Sequence, residues 1–289
     1  MYNFIIKSSS PKGRRAIKVL SKELNKRGLE YKLHFTSYAK HAKVLAGELA
    51  ASGQKNIIGI GGDGTFHEII NGIANLSDVN VGFIPLGSGN DFATAAGLPK
   101  HNIKKALKHI LDGNIRKIDY IQFASGPRCL NVAGTGLDIE VLNKTLAMRR
   151  LKGKPMYLWA LIRVLKNFEP YKLSVEFEGQ KKSYECIMIA VANGTDIGGG
   201  MRVSPRSDLG DGKLNLVVIK MVDRKKIKYL LPKFLSGRHI DMYFTEHYLV
   251  DRVKITSDIA YKVQLDGEIY SNLDFDCHVV EKGINMFSG

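Results

Sequence analysis

Seven consecutive residues carry the strongest chemical signal in the chain: Gly59-Ile60-Gly61-Gly62-Asp63-Gly64-Thr65. They follow an apolar run at 56–60 and precede a helical pattern that begins near Thr65. Glycines in such a turn let an oxyanion approach the backbone N–H groups, and a helix N-terminus adds favourable partial charge. The segment therefore reads as a phosphate cradle, with a turn built only to pack strand against helix as the alternative. Gly59, Gly61 and Gly64 also satisfy G-x-G-x-x-G, but the acid a dinucleotide site needs at the end of the next strand is missing, since Asp78 precedes that strand. No G-x-x-x-x-G-K-[ST] occurs, which argues against a Walker-type loop.

Three further clusters could do chemistry. Leu86-Gly87-Ser88-Gly89-Asn90 follows an apolar strand at 81–85 and would be read alone as an ordinary turn. Asp266 and Glu268 flank Gly267; on extended backbone two residues apart face the same side, so one carboxylate could take an alcohol proton while the other orients it or helps bind metal. Taken by itself, Asp-Gly is also the commonest hairpin signal. Asp208-Leu209-Gly210-Asp211-Gly212-Lys213 offers oxygen ligands on a tight loop, which suits a hard cation, or is simply a solvated acidic loop. The eight histidines form no H-E-x-x-H pair and no Cys–His cluster, and no Gly-x-Ser-x-Gly elbow is present.

The elements that must position these residues change character along the chain. Up to about residue 120, strands at 3–7, 31–35, 56–60 and 81–85 alternate with helical patterns at 12–27, 39–52 and 65–75. That order predicts a mostly parallel sheet covered on both faces, with ligands at the carboxyl ends of its strands. Beyond it, strands at 117–123, 129–134, 171–178, 184–193, 213–219, 252–257, 259–265 and 274–280 predict a largely antiparallel domain, interrupted by basic helical patterns at 139–166 and 224–235. The expected fold class is thus an N-terminal α/β nucleotide-binding domain at 1–120, rejoined by 281–289, and a C-terminal β-sandwich-like domain at 121–280.

With these motifs in place, the chain resembles the diacylglycerol kinase catalytic family in its bacterial soluble form. The resemblance rests on Gly61-Gly62-Asp63-Gly64-Thr65 with Glu68-Ile69-Ile70-Asn71-Gly72, and on Pro85-Leu86-Gly87-Ser88-Gly89-Asn90-Asp91-Phe92-Ala93. It continues in Asn193-Gly194, Gly198-Gly199-Gly200, the 205–214 segment and Leu265-Asp266-Gly267-Glu268. The resemblance implies ATP and Mg²⁺ as cofactors and a lipid hydroxyl as acceptor. Gly61, Gly62, Asp63, Gly64, Thr65, Phe66 and His67 would form the first nucleotide loop, Asp63 organising catalytic magnesium. Gly87, Ser88 and Asn90 would form the second, and the Thr36 hydroxyl is a further nucleotide candidate. It also implies Glu268 as general base with Asp266 as its partner, and a structural magnesium loop in which Asp211 is the side-chain ligand and Asp208 and Lys213 give nearby oxygens. The first loop departs from the family's Asn-Pro-x-Ser-Gly, reading Lys7-Ser8-Ser9-Ser10-Pro11-Lys12-Gly13.

Composition bounds the partners. Hydrophobic content of 44% and charged content of 25% are those of a folded protein, and the formal charge of +15 concentrates anionic partners near the surface. Basic runs at 144–154 and 224–238 flank apolar segments and read either as solvated faces or as a rim that docks on anionic phospholipid headgroups at the membrane surface. Aromatics are not interleaved with them, so no nucleic acid is expected. Three scattered cysteines and no signal peptide make a reducing cytoplasm the expected compartment, and with no apolar stretch near the ~20 residues of a membrane span, the lipid acceptor that the resemblance implies would be reached by peripheral attachment to the inner face of the membrane. An exposed sheet edge in the second domain could form a homodimer. Two other functions fit parts of the pattern: an NAD kinase, and a catalytically silent lipid- or nucleic-acid-binding protein on the same scaffold.

Overall fold

The computed structural model describes residues 1–7, 11–146, 154–165, 168–223 and 232–288. The basic residues Arg149, Arg150 and Lys152, and residues 224–231 of the expected second basic helix, lie outside this set. Two compact units divide the chain: 1–119 with 282–289, and 120–281.

In the first unit the chain runs β1 (Tyr2–Ile6), α1 (Pro11–Lys26), β2 (Tyr31–Phe35), α2 (His41–Ala51), β3 (Asn56–Gly61), α3 (Asp63–Gly72), β4 (Asn80–Pro85), α4 (Asp91–Ala95) and α5 (Ile103–Leu111), and enters β5 (Ile115–Phe123). The strands pair in the order β2-β1-β3-β4, every pair parallel. Asn285 and Met286 add a parallel neighbour to β4. Because β2 and β3 lie on opposite sides of β1, the chain reverses its direction of winding there, and the carboxyl ends of β1 and β3 open a crevice. Ala16, Leu20 and Leu24, spaced four apart on α1, are all buried, and with Ala106, Leu107 and Ile110 of α5 they cover Phe4, Ile6, Ile58, Ile60 and Ile84. On the other face Phe66 of α3 stacks on Phe83 of β4 with centroids 4.6 Å apart. Helices α2 and α3 cross closely at Gly47 and Gly72, where any Cβ would meet opposing backbone. Glu68 of α3 accepts the N–H groups of Lys40 and Ala42 and so caps α2.

The second unit continues with β6 (Arg128–Cys129), β7 (Val132–Gly136), α6 (Leu137–Leu146), α7 (Lys154–Leu165), β8 (Tyr171–Phe177), β9 (Gln180–Ala192), β10 (Asp196–Ile197), β11 (Met201–Arg202), β12 (Leu214–Lys220), β13 (Thr245–Val250), β14 (Arg252–Thr256), β15 (Val263–Leu265), β16 (Glu268–Tyr270) and β17 (Phe275–Phe287), whose end passes into the first unit. Its strand pairs are antiparallel. The long strand β9 pairs β8 along its first half and both β7 and β12 along its second. Alternation then serves two cores: Ile189 and Val191 point to one with Leu214, Leu216 and Phe275, while Met188, Ala190 and Ala192 point to another closed by Tyr157, Ala160 and Leu161 of α7. The architecture is the expected one, a parallel α/β unit and a β-sandwich-like unit.

Some elements differ from the expectation. The single helix at 139–166 is two, α6 and α7. Strand 259–265 shortens to β15, because 259–262 makes no ladder pairs, and β13 was not anticipated. Helices α4 and α5 were missed as well; α4 is one turn long, too short to show a period.

Candidate active site

The phosphate-cradle residues occupy the carboxyl edge of the parallel sheet. Gly61 is the last residue of β3, opposite Pro85 of β4, and the Gly61 carbonyl accepts the N–H groups of Leu86 at 2.6 Å and Gly87 at 3.2 Å. The two glycine loops touch: a Cβ on Gly87 would lie 2.7 Å from the Gly62 Cα and 2.8 Å from Asn90 Oδ1. Only glycine permits that backbone approach. Asp63, in the first turn of α3, accepts the backbone N–H of Asn90 at 2.7 Å through Oδ2 and that of Phe92 at 3.3 Å through Oδ1. Asn90, held at φ 56°, returns its own side-chain N–H₂ to the Gly87 carbonyl at 2.8 Å. One carboxylate thus staples the second loop onto the first.

The other nucleotide candidates divide by exposure. Ser88 is exposed, and Gly62, Gly64 and Thr65 are partly so. Phe66 and His67 are buried, the former against Phe83 and Phe92 and the latter beside Asn71, so their side chains support the loop by packing. Thr36 follows β2 directly and directs both its N–H and its hydroxyl to the Ile6 carbonyl at the end of β1, which sets it on the same sheet edge. In the altered first loop, Lys7 N–H donates to the Ile60 carbonyl and Lys12 is exposed; Ser8, Ser9 and Ser10 lie outside the described residues.

In the second unit Asp266 and Gly267 form the two-residue loop of the β15–β16 hairpin, with Leu265 paired to Glu268. Both loop residues have positive φ, 52° and 90°, as a hairpin turn of this length demands. The expectation that Asp266 and Glu268 project to one side from extended backbone is corrected by this geometry. Asp266 turns inward, its Oδ1 accepting the N–H of Asn131 at 2.8 Å and Val132 at 3.3 Å and the Cys129 thiol at 3.1 Å, its Oδ2 accepting Leu130 N–H at 2.9 Å. Glu268 is exposed. Burial, followed by the charge of Asp266, pushes the Cys129 thiol well up, so it stays protonated as a donor.

The loop after β11 is built of short Asx turns: Asp208 Oδ1 accepts Gly210 N–H and Asp211 Oδ1 accepts Lys213 N–H, each at 3.0 Å. The Lys213 ammonium pairs with Asp251 at 2.7 Å, and since a lysine side chain has no acceptor atom, Lys213 can offer a cation only its backbone carbonyl. No cluster of three or more His, Cys, Asp or Glu side chains suited to a metal occurs among the described residues. A hard cation here would rely on one or two carboxylates, carbonyls and water, a donor set these loops can give.

Sequence reasoning missed the partners of Asp266, because residues 130–132 act through backbone N–H groups and carry no side-chain signal. It also missed Asp138, fully buried in the first turn of α6. Burial raises its carboxyl to about 7, against the lowering effect of the Gln264 amide and the first N–H groups of the helix. A polar Gln264 between Val263 and Leu265 of a buried strand was the available clue.

Comparison with known proteins bears on the fold and the family. At the level of fold, a diacylglycerol kinase structure from Bacillus anthracis str. Sterne superposes with a TM-score of 0.75 over 100% of this chain and 96% of its own, at 21% identity. An NAD kinase from Archaeoglobus fulgidus in complex with ATP is more distant, with a TM-score of 0.55 at 14% identity, covering 100% of this chain and 94% of its own. The fold is that of a kinase with an α/β unit and a β-sandwich-like unit. Residues 3–123 match the diacylglycerol kinase catalytic domain and residues 131–288 the YegS C-terminal NAD kinase beta sandwich-like domain. A diacylglycerol kinase of Bacillus subtilis (strain 168) is 31% identical over 246 residues, 83% of this chain and 80% of that protein. The chain belongs to the diacylglycerol kinase and YegS-like lipid kinase family.

Proposed function

We propose that the protein transfers the γ-phosphoryl group of ATP to the hydroxyl of a diacylglycerol-like lipid. The observation that carries this reading is the Asp63 staple, which fixes two glycine loops on the carboxyl edge of the sheet beside the β1/β3 switch point, where nucleotide phosphates bind in open α/β folds. The 61–65 and 87–90 loops present backbone N–H groups to the phosphates. Asp63, with both oxygens aimed by backbone donors, would hold Mg²⁺, and Asp211 with the carbonyls near Asp208 and Lys213 would hold a structural ion. When bound, Mg²⁺ supplies charge neutralisation on the phosphoryl oxygens. Glu268, exposed at the start of β16, takes the acceptor's proton, while Asp266 holds the turn that aims it.

A lipid acceptor is supported by a groove of about 690 Å³ in the second unit, walled by Lys144, Arg163, Val164, Phe168 and Ile259 together with the acids Glu140 and Glu169. On α7 Trp159 and Ile162 are 37% and 44% exposed, and Arg163 lies over the Trp159 ring at 5.0 Å. An aromatic–basic face of that kind suits a headgroup layer. No helix among the described residues is long and apolar enough to cross a membrane; in this reading the lipid is reached by attachment to the membrane surface. Incubation with γ-labelled ATP, Mg²⁺ and a lipid extract should label a lipid product, and Asp63→Ala and Glu268→Ala should abolish it. Unchanged labelling by both variants, or formation of NADP from NAD with no lipid product, would overturn the reading.

A further inference from the structure

We propose that Tyr38 is the base-stacking residue of the nucleotide site, its ring held ready by His41, a role that rests on the reading of the two glycine loops as an ATP site. The segment that carries it stands on the ligand edge of the sheet. Thr36 follows β2 and donates its N–H to the Ile6 carbonyl at the end of β1 at 3.0 Å, and Lys7, which follows β1, donates to the Ile60 carbonyl of β3 at 3.4 Å. The carboxyl ends of β2, β1 and β3 are thereby in line, and with strands about 4.8 Å apart the end of β2 lies about 10 Å from that of β3. With phosphates on the 61–65 loop, the ribose and base of an extended nucleoside triphosphate cross that distance. Toward β4 the way is taken by the second glycine loop, which touches the first.

Helix α3 ties the segment to the cradle. Asp63 in its first turn holds the second glycine loop, and Glu68, further along the same helix, accepts the N–H groups of Lys40 and Ala42, each at 3.2 Å. Lys40 has a φ of 66°, a left-handed backbone that a lysine keeps only where its surroundings fix it, and the bond to Glu68 does so. Within the loop so formed His41 Nδ1 accepts the Ser37 N–H at 3.0 Å, which sets the imidazole plane and leaves its proton on Nε2.

The Tyr38 ring stacks on that imidazole, with centroids 4.3 Å apart and planes 17° from parallel. One face of the ring is therefore backed by a fixed group, while the residue as a whole is 60% exposed. An aromatic ring that is already immobilised and still open to solvent offers a π-face to a ligand with little further loss of freedom. Every base has such a face, so the contact strengthens nucleotide binding without choosing between adenine and guanine.

The test uses the full chain with Mg²⁺ and titration calorimetry against ATP and against inorganic triphosphate, which has the charged oxygens of the nucleotide and no base. Tyr38→Ala should weaken ATP binding about tenfold and leave triphosphate binding unchanged, and Tyr38→Phe, which keeps the ring, should bind both as the wild type does. In lipid phosphorylation Tyr38→Ala should raise KM for ATP by a similar factor at unchanged kcat, the signature of a contact made equally in the ground state and the transition state. His41→Ala removes the support and keeps the phenol ring, so its ATP affinity should fall between those of Tyr38→Ala and wild type. Wild-type affinity for ATP in Tyr38→Ala would overturn the inference. So would an equal loss of triphosphate binding, which would mean that the substitution had deformed the loop, or self-association of the wild type that Tyr38→Ala abolishes with ATP affinity intact, which would assign the ring to an interface. A wild-type chain that binds ATP in this Tyr38-dependent way and labels no lipid would leave the inference standing and overturn the functional reading; one that binds neither ATP nor triphosphate would end both.

Discussion

The carboxylate of Asp63 accepts the backbone N–H of Asn90 at 2.7 Å, and through this bond a residue of α3 sets the conformation of a loop 27 positions later in the chain. The acid in the phosphate cradle is therefore a joint between two loops before it is anything else. The N–H groups it accepts from Asn90 and Phe92 orient its two oxygens, one to each.

Asp63→Asn keeps the shape but offers one oxygen to two donors, so either Asn90 or Phe92 N–H faces an amide N–H₂. Stability should drop by about 1–3 kcal/mol, the cost of a lost charge-assisted bond with an unpaired donor. Nucleotide affinity should fall with it. Urea denaturation and calorimetric ATP titration check both, and a variant that matched wild type in each would show that the staple is dispensable.

Gly87→Ala places a methyl 2.7 Å from the Gly62 Cα, against backbone that cannot move without opening the cradle. A loss of about 1–3 kcal/mol and weakened nucleotide binding are expected. Gly53→Ala is the control: its φ of 79° is unfavourable for alanine, but no atom lies within 4 Å of the added methyl, so a cost of about 1–2 kcal/mol from backbone strain should leave nucleotide binding intact.

The two acids of the hairpin should separate on mutation. Glu268→Gln changes an exposed side chain and should leave the melting temperature unaltered while lowering kcat by about 100-fold or more, the usual contribution of a general base. Asp266→Asn disturbs a carboxylate that accepts three backbone N–H groups and a thiol, so it should lower stability as well as rate. Thermal melts beside initial rates distinguish them, and equal melting temperatures for the two variants would contradict the inward orientation of Asp266.

Two carboxyls should shape stability against pH in opposite senses. Asp138 has a pKa raised from 3.8 to about 7, so between those values the folded chain keeps a proton that the unfolded chain releases. Stability then declines as pH rises across that window and levels off above it. Asp138→Asn removes the decline and should be the more stable protein at pH 8. For Glu246, burial would raise the carboxyl, but hydrogen bonds from Lys220, Tyr248 and Tyr184 outweigh it and bring the pKa from 4.5 to about 2. Its stabilisation is complete above about 4.5 and is lost as pH falls toward 2, so Glu246→Gln should flatten the acid limb. Urea midpoints measured at a series of pH values test both; parallel profiles for wild type and either variant would contradict the corresponding shift.

Much of the fold was legible because its signals are local. The periodic burial of Ala16, Leu20 and Leu24, the apolar runs of β1, β3 and β4, and the glycine-flanked Asp63 each declare themselves within a few residues. Helix α4 was hidden because one turn shows no period, and β13, with its mixed Thr-Glu-His-Tyr-Leu-Val pattern, because only Val250 of its six residues is buried. The inward turn of Asp266 was legible only as the hairpin signal it also is, and its φ of 52° decided between the two geometries.

The sequence by itself determined the class of fold, the kinase family and the residue types of the glycine loops and the Asp-Gly-Glu turn, because those depend on backbone conformations that only particular neighbouring residues allow. Tertiary structure decided what each acid does: Asp63 joins two loops, Asp266 is consumed by the N–H groups of residues 130–132, and Glu268 remains exposed. The reason is that a carboxylate's role depends on which donors surround it, and those donors are backbone groups brought from distant positions by strand pairing, without a trace in the identity of any side chain.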